Sequence, residues 1–68
     1  MSFAEKLKEK RVQSGLTQAD LAWKAGVTAR TIQNYELGTR RPSNMVVVQR
    51  IADALGTTTE YLLGSAGT

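Results

Sequence analysis

Apolar positions in this chain recur three and four residues apart, and polar caps and glycines cut the pattern into five segments. Ser2 and Glu5 make an S-x-x-E capping box, which predicts a first helix from Phe3 with Phe3 and Leu7 on one face. It runs to about Ser14, where Gly15 supplies the stop. Thr17 caps the second helix, with Asp20 at its third position. Leu16 before that cap and Leu21 after it have the spacing of a hydrophobic staple. Gly26 ends the helix after Ala25. Thr28 caps a third, with Val27 and Ile32 as its staple, and this one reaches Glu36 or Leu37 before Gly38.

Thr39-Arg40-Arg41-Pro42 is a basic loop. Ser43 or Asn44 then caps a fourth helix whose buried stripe is Met45, Val48, Ile51, Ala52 and Leu55. The run Val46-Val47-Val48 alone favours a strand. The cap before it and the continuation from Gln49 to Leu55 favour helix. Gly56 ends this element, and Thr57-Thr58 opens a short last helix through Leu62-Leu63. The pattern predicts one all-α domain of five helices over residues 1–64, with residues 65–68 a tail or the start of a linker. There is no internal repeat and no alternating strand pattern.

A chain of 68 residues makes one small domain with an economical core. It has no cysteine and no histidine, which removes disulfides, Cys/His zinc sites and histidine general bases. No metal and no cofactor is expected. No apolar run approaches the length of a membrane span, and Glu5 and Lys6 place charges where a signal peptide is apolar. The expectation is a soluble cytoplasmic protein with no membrane partner. Its few carboxylates are scattered, and no nucleophile–base pair supports an enzyme.

Net charge is +3, unevenly spread. Residues 1–41 hold eight Lys/Arg against four Asp/Glu, whereas residues 42–68 hold one against two. That asymmetry predicts a basic face for nucleic acid and a separate face for partners. The segment from Gln18 to Tyr35 is more specific. Two short helices meet at Gly26-Val27-Thr28, a turn with the length and glycine of a helix-turn-helix. Ala22 is small where the two helices cross, and Leu21, Ala25, Val27, Ile32 and Tyr35 surround it with apolar contacts.

At these residues the chain resembles the Cro/cI-type repressor family, also called the XRE family. The resemblance rests on Leu16-Thr17-Gln18-Ala19-Asp20-Leu21-Ala22, Gly26-Val27-Thr28, Ile32, Tyr35-Glu36, Gly38 and Pro42. Ile51-Ala52-Asp53-Ala54-Leu55-Gly56 and Tyr61-Leu62-Leu63-Gly64 extend it over nearly the whole chain. It implies a five-helix, lambda-repressor-like domain whose third helix enters the major groove of double-stranded DNA, usually as a homodimer. It also implies a transcriptional repressor of a bacterium or phage. The Pro42–Met45 connection is longer than the family's pattern, and Thr57 stands where the family has an apolar residue.

Side-chain chemistry assigns candidate roles. On the third helix Arg30 suits guanine, Gln33 and Asn34 suit adenine, and Ala29 suits a thymine methyl. Thr28 stands at the helix N-terminus, where a phosphate or a base edge is welcome. Candidate phosphate contacts are Gln18, which matches a family position, Thr31, Arg40 and Arg41, together with Arg11. Arg11 lies on the edge of the first helix's core face and needs a partner. The resemblance supplies Glu36, giving an expected Arg11–Glu36 ion pair with the remaining Arg11 donors aimed at a phosphate. Trp23 lies about 200° around its helix from Leu21 and is expected to be exposed. Trp23, Val46, Thr57 and Tyr61 are candidates for a dimer or partner contact. An antitoxin or other partner-binding module on the same fold is the alternative to a repressor.

Overall fold

The computed structural model describes residues 2–64, so the predicted tail at 65–68 lies outside the described residues. Five helices follow in order: α1 Phe3–Gln13, α2 Gln18–Ala25, α3 Ala29–Leu37, α4 Met45–Leu55 and α5 Thr59–Leu63. Local chemistry sets their starts. The Ser2 hydroxyl accepts from the Glu5 amide at 3.2 Å while the Glu5 carboxylate accepts from the Ser2 amide at 2.9 Å. Thr17 and Asp20 repeat this reciprocal box at the head of α2. Thr28 caps α3, Asn44 caps α4 and Thr58 caps α5.

The core gathers one stripe from each helix. Phe3 and Leu7 meet Leu21, Ala22 and Ala25, then Ile32, Tyr35, Ile51, Ala52, Leu55 and Leu62. Phe3 meets Tyr35 edge-to-face, with ring centroids 6.1 Å apart. α1 packs on α3 and α5, α2 on α3 and α4, and α4 on α5. Ala22, buried in the heart of α2, leaves room for this close approach. Val46-Val47-Val48 is helical, as the flanking cap and continuation predict.

Two expectations change. Met45 does not join the buried stripe and is 57% exposed, so the stripe begins at Val48, with Val47 half-buried against the core. Helical side chains lean toward the N-terminus, and Met45, the first residue of α4, leans past the helix start. The division into a basic and an acidic half is also not spatial. α5 packs on the lysine-rich α1, and Tyr61 lies half-buried beneath it. Lys6 Nζ is 5.4 Å and Lys10 Nζ 5.0 Å from the Tyr61 ring centroid, and the Tyr61 hydroxyl donates to Glu9 Oε1 at 3.5 Å.

Candidate nucleic-acid interface

The turn between α2 and α3 is closed by backbone bonds. Gly26 adopts φ +73°, a left-handed conformation that costs a side-chain-bearing residue more than glycine. The Val27 amide donates to the Ala22 carbonyl at 3.0 Å, and Thr28 at once caps the next helix. α3 is held from one side only. Ile32 is fully buried and Tyr35 nearly so, while Ala29, Arg30 and Gln33 are exposed along the opposite side. Asn34 and Thr31 are half-buried at the edges of that exposed strip. The Thr31 hydroxyl lies 2.9 Å from the Thr28 hydroxyl.

Leu37 carries no hydrogen-bonding side chain, so side-chain chemistry alone does not mark it. It is 66% exposed and stands one turn beyond Gln33 on the same outward strip. The signal that finds it is helical phase: four residues after Gln33 and seven after Arg30.

Behind this strip sits a network centred on Glu36. Its carboxylate accepts from Arg11 Nε at 2.6 Å, from Arg11 Nη2 at 3.1 Å and from Gln18 Nε2 at 3.1 Å. Arg11 Nη1 donates to the Leu16 carbonyl at 2.8 Å. The Glu36 side chain is 4% exposed and that of Arg11 13%. The hydrogen bond to Glu36 raises the Arg11 pKa above its ordinary value against the opposing effect of burial. Three of the five guanidinium N–H groups are thereby engaged, which leaves few for any external anion. No sequence spacing marks the inward turn of Gln18 or the part played by the Leu16 carbonyl. The network ties α1, the start of α2 and the last turn of α3 into one frame.

Arg40 and Arg41 are exposed in the loop after α3. With Lys6, Phe3 and Tyr35 they line an open cleft of about 470 Å³. The Arg41 guanidinium carbon lies 5.9 Å from the Phe3 ring centroid, within cation–π reach. Lys6 adds a third cation to this end of the molecule, and only the packing of α1 on α3 reveals it. Among the other candidates, Trp23 is 85% exposed, Val46 is 54% exposed and Thr57 is half-buried.

These features define a helix-turn-helix domain with one helix presented outward on a buried frame. The chain belongs to the helix-turn-helix family of Cro/cI (XRE) type, whose family model matches residues 7–62. It is 39% identical over 61 residues to the uncharacterized HTH-type transcriptional regulator YqaE of Bacillus subtilis (strain 168), with 90% of this chain and 52% of YqaE covered. The chain therefore spans about half the length of that relative. Among solved structures it is similar to the P22 c2 repressor in complex with synthetic operator 9T, with a TM-score of 0.88 and 25% identity. That match covers 93% of this chain and 94% of the other. It is also similar to FeII HppE in complex with substrate, with a TM-score of 0.82 and 35% identity, over 91% of this chain but 35% of HppE. Among the described residues no helix is long and apolar enough to cross a membrane.

Proposed function

We propose that this chain is the DNA-binding part of a transcriptional repressor that recognises a pseudo-palindromic, double-stranded operator as a homodimer, with α3 in the major groove. The observation that carries this reading is the outward strip of α3. Arg30 and Gln33 are long hydrogen-bonding side chains on a helix whose other face is locked by Ile32 and Tyr35. A firmly seated helix that presents long hydrogen-bonding side chains to solvent is what base-edge readout requires. The likeness to a repressor solved in complex with a synthetic operator supports double-stranded DNA as the ligand.

In this reading Thr28, Ala29, Arg30, Gln33 and Asn34 meet base edges, and Leu37 lies against the groove wall. Arg40 and Arg41, with Lys6 beside them, hold flanking phosphates, and Thr31 meets a phosphate at the edge of the strip. Arg11 and Gln18 act first through Glu36. Their unengaged N–H groups are what remains for the backbone. Dimer contact falls to Val46 and the neighbouring exposed Met45 at the start of α4, with Thr57, past the far end of that helix, as a separate candidate. Tyr61 contributes less than its sequence position suggests, because Lys6 and Lys10 cover its ring. The site of action is the cytoplasm, where the operator is.

Selection of bound duplexes from random DNA tests the proposal. It is expected to return a pseudo-palindrome with half-sites about 34 Å apart, one turn of the duplex. With about six phosphates neutralised per dimer, the log–log dependence of affinity on salt has an expected slope of about −5. A slope near zero, or no enriched sequence, contradicts it.

A further inference from the structure

Trp23 is the chain's one tryptophan, and 85% of it is exposed. It lines a shallow groove of about 450 Å³ with Lys24 of α2 and Arg50, Asp53 and Ala54 of α4. Arg50 reaches back to the end of α2, where its Nη1 lies 3.4 Å from the place a Cβ on Gly26 would take. Lys24 and Arg50 are both exposed, and among the described residues neither has an ion-pair partner. Asp53, the one acid in the groove, is engaged on its own helix: its Oδ1 accepts from Gln49 Nε2 at 3.0 Å. None of the residues assigned to DNA lines this groove.

We propose that this groove docks an acidic segment of a partner protein, with an apolar side chain laid on the Trp23 indole and carboxylates facing Lys24 and Arg50. Charge complementarity selects the acid, since Lys24 and Arg50 flank the indole and outnumber Asp53, the one carboxylate lining the groove. The indole selects a peptide with apolar side chains over a bare anion. An exposed tryptophan offers a large rigid contact that loses little conformational freedom on binding. Single-stranded nucleic acid stacks on aromatics along a uniformly basic track, and one indole beside Asp53 does not make such a track. The contact is small, so the complex is transient.

Because Trp23 is the only tryptophan, its fluorescence reports this groove directly. The full chain is titrated with a soluble peptide of glutamate interspersed with leucine and proline, and with its glutamine counterpart. The acidic peptide is expected to shift Trp23 emission to the blue, and the glutamine peptide is not. Lys24→Glu and Arg50→Glu keep the reporter, alter exposed positions only, and are each expected to weaken the acidic peptide by about tenfold. Three results overturn the proposal. One is an equal response to both peptides, or to neither. Another is a response that survives both charge reversals. The third is a shift on adding duplex DNA, or on concentrating the protein alone, which assigns the groove to nucleic acid or to a second copy.

Discussion

Glu36, at the end of α3, accepts the Arg11 guanidinium through two oxygens while its side chain is all but removed from water. A sheltered carboxylate with a bidentate cation is costly to break from one side only, because the partner is left buried and uncompensated. Glu36→Gln is therefore expected to lower the unfolding free energy by up to about 3 kcal/mol. In a cycle with Arg11→Met, measured by chemical denaturation, the double variant is expected to lose less than the sum of the singles. Additive losses contradict a coupled pair.

The capping carboxylates carry a pH dependence. The Ser2 backbone amide, and then its hydroxyl, hold Glu5 below its ordinary pKa, and Thr17 does the same for Asp20. A folded-state pKa below the unfolded value gives stability that is present above the unfolded pKa and lost as pH falls through the folded one. The melting temperature is thus expected to fall as pH drops through and below the usual carboxylate range. In Glu5→Gln with Asp20→Asn that acid slope is expected to flatten. An unchanged slope contradicts the role of the caps.

Much of the fold is legible in the sequence because its signals are local. Ser2, Thr17 and Thr28 sit next to the amides they cap, and Gly26 and Gly38 end helices by their own backbone freedom. The outward face of α3 follows from helical phase once Ile32 and Tyr35 are read as core. What stayed hidden depends on how helices pack. Lys6 joins Arg40 and Arg41 only because α1 lies against α3. Tyr61 meets Glu9 across 52 positions because α5 folds back on α1. The amide of Gln18 is drawn inward by a carboxylate 18 residues away, which no spacing rule displays.

Gly26 gives a test of the turn itself. Its φ of +73° disfavours any Cβ, whereas the added atom itself would meet only an ordinary contact, 3.4 Å from Arg50 Nη1. Gly26→Ala is expected to destabilise the domain by about 1 kcal/mol, read from the denaturation midpoint. A more stable variant contradicts the strained turn.

Comparing Arg30→Ala with Arg41→Ala by binding-site selection separates base reading from backbone positioning. Loss of Arg30 is expected to flatten preference at one base position of each half-site, at a cost of about 1–3 kcal/mol there, while the other positions persist. Loss of Arg41 is expected to weaken all sites together and to make the salt slope shallower by about one unit per arginine removed. The reverse pattern, in which Arg41→Ala relaxes a base position and Arg30→Ala weakens every site equally, contradicts the placement of α3 in the major groove.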